Sequence, residues 1–246
     1  MNPLAKLTLT EVRLFFREPL AVFFALAFPP ILLAILGSIP SFREPSKDLG
    51  GARVVDLYAP IVIALSIATL AFSGLPQILA TYREKGILKR MATTPVRPIK
   101  VLAAQLLMCV GMSVATLVLV LAVGRIAFEV PLPRQAAGYA LAYVLSAVTA
   151  LTLGLVVAAL APSGKGAGSI GTMLFFPMMF FAGLWFPRES MPEALRRISD
   201  FTPLGAGVQS LQDTASGHWP QLLHVAVLLV WTVAAGGIAA RNFRWE

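Results

Sequence analysis

The chain has 246 residues, of which 57% are hydrophobic and only 13% charged, and it carries a formal net charge of +8. An average soluble domain is roughly 25% charged, so this chain has too little charge to coat a water-facing surface, and lipid is its main solvent. Its one cysteine, Cys109, excludes an intrachain disulfide or a CxxC pair, and its two histidines, His218 and His224, are too isolated for a metal site.

Six charge-free runs, Pro19–Phe42, Leu57–Tyr82, Val101–Gly124, Gln135–Gly164, Gly166–Pro187 and Thr214–Ala240, each hold 22 residues or more. Roughly 20 apolar residues cross a hydrocarbon core of about 30 Å as a helix. In lipid each run must satisfy its own backbone, which favours helices, and the shorter alternating segments of a β-barrel are absent. The expected fold is an all-α membrane protein with six transmembrane helices at 20–39, 57–81, 100–124, 138–161, 167–186 and 221–240.

Residues 3–18 come first. Leu4, Leu7, Leu14 and Phe15 share one face, and Lys6, Arg13 and Arg17 share another. That pattern suits a helix lying in the membrane interface, and a plain extension of the first span is the alternative. The apolar stretch after Arg17 is too long for a signal core and reads as a retained helix. Pro29-Pro30 predicts a kink in it.

After the second span comes Tyr82-Arg-Glu-Lys-Gly-Ile-Leu-Lys-Arg-Met-Ala-Thr-Thr-Pro-Val-Arg-Pro98, helix-prone from Glu84 to Met91 and stopped by Thr93-Thr94-Pro95. Ile87, Leu88 and Met91 form an apolar strip. So short a helix is unstable alone and must dock on the membrane or on a partner. A basic loop set only by topology fits the spacing equally well.

Between the fifth and sixth spans, Leu195, Ile198 and Phe201 recur at helical spacing with Arg196, Arg197 and Asp200 between them, and Pro203 breaks the pattern. Two short helices over 188–215, or an ordinary loop, are the readings. His218 and His224 then read as interfacial or packing residues, and Arg241, Arg244 and Trp245 as anchors of the last span.

An even number of spans puts both termini on one side. With that side cytoplasmic, inside segments hold twelve basic residues against eight outside, and six of the twelve lie in the loop after the second span. The basic surplus suits an anionic leaflet or an acidic partner. Nucleic acid fits poorly, because the cations are split over four segments.

Gly166-Ala-Gly-Ser-Ile-Gly171 fits GxGxxG, but no strand precedes it and no acid follows at the required distance. It reads instead as a close helix-packing stretch. Gly164-Lys165 lacks the Ser or Thr of a phosphate-binding loop. No catalytic constellation and no metal site are expected.

The stretch Tyr82–Pro98 resembles that of ABC-2-type permeases, the transmembrane subunits of ATP-binding-cassette exporters. A second block, Phe176-Pro-Met-Met-Phe-Phe-Ala-Gly-Leu-Trp-Phe-Pro-Arg-Glu-Ser-Met-Pro192 followed by Ile198-Ser-Asp-Phe-Thr-Pro-Leu204, is similar too, as is Asn242-Phe-Arg-Trp245. In length and tail the daunorubicin-type drug-resistance branch is most similar. The chain departs from many relatives at Gly205–Gln212, where a tyrosine and a basic residue are common.

The resemblance implies a multi-pass permease of the bacterial cytoplasmic membrane that pairs as two copies, a homodimer rather than a heterodimer. It implies a cytoplasmic coupling helix at 83–93 docking on a separate ATPase subunit, which binds ATP and Mg, while this chain holds no cofactor. The implied contact residues are Arg83, Glu84, Lys85, Gly86, Ile87, Leu88, Lys89, Arg90, Met91 and Pro95. Glu84 is expected to meet basic groups of the ATPase, and Ile87, Leu88 and Met91 to supply the buried anchor. Polar candidates along a cargo path are Gln77, Thr81, Ser113, Thr116, Ser146, Thr149, Thr152 and Thr172, and each hydroxyl can equally bond a carbonyl of its own helix. A largely apolar path suits drug-like or lipid-like cargo. The rival readings are a secondary carrier, which needs an ionisable group at mid-membrane, and a membrane scaffold or sensor.

Overall fold

The computed structural model describes residues 3–46, 49, 51–92 and 99–242. In chain order its helices are α1 (Pro3–Phe15), α2 (Pro19–Ser38), α3 (Val54–Glu84), α4 (Ile87–Ala92), α5 (Ile99–Phe128), α6 (Ala136–Leu160), α7 (Gly164–Phe181), α8 (Glu193–Phe201), α9 (Pro203–Ala215) and α10 (Leu222–Asn242). The described residues form an all-helical membrane fold, and the one β pairing among them is an isolated bridge between Pro45 and Arg53.

Five helices, α2, α3, α5, α6 and α10, are long and apolar enough to cross a membrane. The remaining run, expected to span 167–186, folds as the 18-residue α7 and stops at Phe181. Lys165 and three glycines dilute its first turns, and Pro177 interrupts its ladder. Its end is closed by Gly183, whose φ of +90° lets its own N–H reach Phe180 O while that of Leu184 reaches Met179 O.

The core is built around α3. In its most apolar stretch 78% of residues are buried within the chain, against 28% in α2, 28% in α5 and 22% in α10. The outer helices present Leu222, Val230, Val233, Val118 and Ile126 as exposed apolar side chains, the surface that a lipid solvent requires.

Prolines shape both α2 and α3. In α2 a wide π turn at Phe23–Ala27 sits just before the Pro29-Pro30 pair where a kink was expected. Pro29 has no N–H to offer Ala25, one turn back. That carbonyl instead accepts Ser66 Oγ from α3 at 2.7 Å and Thr116 Oγ1 from α5 at 2.9 Å. In α3 a second π turn, Thr69–Gly74, precedes Pro76. Here Ala71 O and Phe72 O face neighbouring helices through glycine: a Cβ on Gly154 would stand 2.1 Å from Ala71 O, and one on Gly171 1.8 Å from Phe72 O. The last glycine of the GxGxxG stretch is thus a packing residue.

Candidate functional site

At the end of the molecule bearing α1, helix α3 runs on to Glu84 rather than giving way to a new helix there. Lys85 and Gly86 then make a turn, with Gly86 at φ +65°, and α4 begins only at Ile87, so the helix expected over Glu84–Met91 is divided. Pro95 and the stop at Thr93–Thr94 lie outside the described residues.

Two residues expected to face a partner are engaged within the chain. The Arg83 guanidinium donates to the carbonyls of Ala159 and Ala161, the unsatisfied C-terminal groups of α6. Glu84 Oε2 accepts the N–H of Gly164 at 2.9 Å, at the positive N-terminal end of α7. Leu88 is also turned inward, with only 1% exposure. It supplies no anchor to another protein, because the chain already buries it. Lys85, Lys89 and Arg90 are exposed, Ile87 and Met91 are half-buried, and Arg90 donates to Lys85 O at 2.9 Å. The outward chemistry of α4 is therefore cationic, with a partial apolar rim.

The same end contains a buried carboxylate that the sequence reading passed over. Glu11 of α1 is 6% exposed. It accepts hydrogen bonds from Tyr82 OH at 2.9 and 3.2 Å and from Gln105 Nε2, joining α1, α3 and α5. Burial pushes its carboxyl above the ordinary range, and the Tyr82 hydrogen bond pulls the other way. A signal was present: Glu11 falls at helical spacing among Leu4, Leu7, Leu14 and Phe15, so an acid sat on the apolar face.

Of the cargo-path candidates, Ser146, Thr149, Thr152 and Thr172 each bond the carbonyl four residues back. Thr116 serves Met112 O as well as Ala25 O, and Ser113 bonds Val110 O while accepting from Tyr143 OH at 2.7 Å. Thr149 also reaches Leu228 O and Thr232 of α10. Ser113, Thr116 and Thr149 thus fasten helices together, whereas the bonds of Ser146, Thr152 and Thr172 stay within their own helices. Thr81 is half-buried beneath Gly164, whereas Gln77 and Thr172 are exposed on the adjoining α3 and α7. None of the eight lines either of the two described cavities, of about 250 and 350 Å³, which lie at the opposite end.

At that opposite end, residues 188–215 form a short turn, α8 and α9. The expected apolar stripe of α8 faces outward, with Ile198 50% and Phe201 59% exposed, while Ser199 and Asp200 turn inward. Ser199 Oγ donates to Phe181 O, and Trp231 Nε1 to Phe201 O. Asp200 pairs with Arg188 and receives His224 at 3.1 Å. His218 is exposed and His224 is 1% exposed, so the two histidines differ entirely in setting.

Comparison with known proteins adds the family context. The model of the ABC-2 type transporter family matches residues 4–215. Nodulation protein J of Rhizobium leguminosarum bv. viciae is 36% identical over 84 residues, which is 33% of this chain and 32% of that protein. The chain therefore aligns with about a third of that relative's length.

Proposed function

The chain belongs to the ABC-2 type transporter family, and we propose from this that it is the membrane permease subunit of an ATP-driven exporter in the bacterial cytoplasmic membrane. On this reading α7 completes a set of six spans, both termini are cytoplasmic, and α1 lies in the inner interface. A separate ATP-binding-cassette subunit docks beneath α4, and a second copy of the chain completes the pathway.

The observation that carries the reading is the way α4 is mounted. The turn at Lys85–Gly86 hangs from α3, and Arg83 and Glu84 on its root clamp the end of α6 and the start of α7. A push on α4 therefore reaches three helices at once, α3, α6 and α7, which is what coupling a motor to a membrane path requires. Ile87 and Met91 supply the contact rim and Lys85, Lys89 and Arg90 the charge, beside the exposed Glu84; Leu88 acts from within the chain and Arg83 from the end of α6.

Cargo passes along the α3–α7 face, where Gln77 and Thr172 stand beside the exposed Met173 and Phe176. Such a face suits a drug-like or lipid-like amphiphile. Multidrug or antibiotic export is the use that follows from that cargo class. Glu11 and His224, the buried Glu and His among the described residues, lie in α1 and in the first turn of α10, away from the mid-membrane position a proton-driven carrier needs.

The test is reconstitution with an ATPase subunit in liposomes. Ile87→Asp should leave membrane insertion and folding intact and abolish ATP-dependent export of an amphiphilic dye. Undiminished export by that variant, or export without any ATPase, would overturn the proposal.

A further inference from the structure

A group of titratable side chains at the end opposite α4 has no part in the coupling scheme. His224 opens α10, Asp200 closes α8, Asp213 lies late in α9, and Arg188 sits in the turn after α7. Asp200 Oδ1 lies 3.1 Å from His224 Nε2 and pairs with Arg188. Asp213 Oδ1 receives Gln209 Nε2 at 3.3 Å. On the other side of the imidazole, His224 Nδ1 and Asp213 Oδ2 stand 4.0 Å apart, both buried and both without a hydrogen-bond partner.

The geometry explains that mutual orphaning. A neutral imidazole has one N–H donor and one bare nitrogen. If Nε2 donates to Asp200, the lone pair of Nδ1 points at a carboxylate oxygen that also only accepts. Two buried acceptors then face each other and neither is satisfied, which is costly. One added proton on Nδ1 turns this repulsion into attraction, and drawing the 4.0 Å gap in by about 1 Å makes a second charge-assisted hydrogen bond. Counting Arg188, Asp200 and Asp213 as ionised, the group carries one net negative charge with His224 neutral and none with it protonated.

We propose that His224, Asp200 and Asp213 form a proton-binding latch that fastens α8 and α9 to α10. The proton comes from solvent, binds Nδ1, and leaves the imidazolium donating to Asp200 through Nε2 and to Asp213 through Nδ1. Histidine is the side chain whose ordinary charge change falls nearest neutral pH, so a latch built on one is tested by comparing mildly acidic with neutral conditions. Among the described residues of the packed elements no other charge replaces it. The only titratable groups of α6, which packs along α10, are Tyr139 and Tyr143, and on α8 Arg197 pairs with Glu193, leaving Arg196 half-buried. The exposed His218 lies in the connection between α9 and α10. If the proposed topology holds, this end faces the cell exterior, and external acid restrains the helices flanking the last span.

The experiment is hydrogen exchange on the full-length protein in lipid nanodiscs at about pH 5.5 and about pH 7.5, corrected for intrinsic exchange rates. Backbone amides of residues 193–215 should exchange about tenfold more slowly at the lower pH, the span of one charge-assisted bond. His224→Gln should remove the difference. Asp213→Asn places an amide donor against bare Nδ1 and should hold slow exchange at both pH values. Equal wild-type exchange at the two pH values, or a pH effect that survives His224→Gln, would overturn the latch. Should His224→Gln fail to fold, imidazole NMR on the wild type decides. With only two histidines in the chain, the loss of pH-dependent coupling between His224 and the Asp213 carboxyl signal would equally refute it.

Discussion

The helices α3 and α10 are both long and apolar, yet they solve opposite problems. Most of α3 is buried inside the chain, whereas α10 turns most of its surface outward. In α3, Pro76 and the π turn break the backbone ladder, and neighbouring helices cover the exposed carbonyls by bringing glycine against them. In α10, Gly236 and Gly237 have nothing nearby that an added Cβ would meet. The same residue type is thus a packing necessity in one place and a bystander in the other.

That contrast can be broken by one substitution made twice. Gly171→Ala sets a methyl group against the Phe72 carbonyl and forces backbone apart, at a cost of about 3 kcal/mol or more. The unfolding midpoint and the yield of folded protein should both fall sharply. Gly237→Ala on the outer helix should cost nothing and raise stability by up to about 1 kcal/mol through helix propensity. Equal effects at the two positions would show that α3 is not the packed spine.

A smaller effect sharpens the comparison at the foot of α3, where Glu11 meets Tyr82. Burial raises the Glu11 carboxyl above its ordinary range, so between that range and its raised value the folded chain holds more protons than the unfolded one. The Glu11 contribution to stability therefore falls as pH rises through that window. Glu11→Gln keeps the shape, removes the buried charge, and should flatten this pH dependence with little change in the midpoint at mildly acidic pH.

Much of this architecture was legible in the uncharged runs, because hydropathy over about 20 residues is a local property. The positions of α2, α5, α6 and α10 follow it closely. The extent of α7 was not legible, since Lys165, Pro177 and the turn at Gly183 shorten an otherwise apolar run. Arg83 and Glu84 looked outward from sequence because a charge in a basic loop has no visible partner. Their partners, the ends of α6 and α7, are some 80 residues away. The pairing of Asp200 with His224 was hidden for the same reason, whereas Glu11 could have been read from the acid in its apolar stripe.

Coupling to a nucleotide-driven motor requires α4 to lie on the cytoplasmic side of the membrane. Cys109, the single native cysteine, is 1% exposed and should be silent to an impermeant maleimide, so Lys89→Cys and Trp219→Cys can each be labelled in its presence. The prediction is that Lys89→Cys reacts only from the cytoplasmic side, where ATP is available, and Trp219→Cys only from the opposite side. Labelling of both from one side, or of Lys89→Cys from outside, would contradict the account.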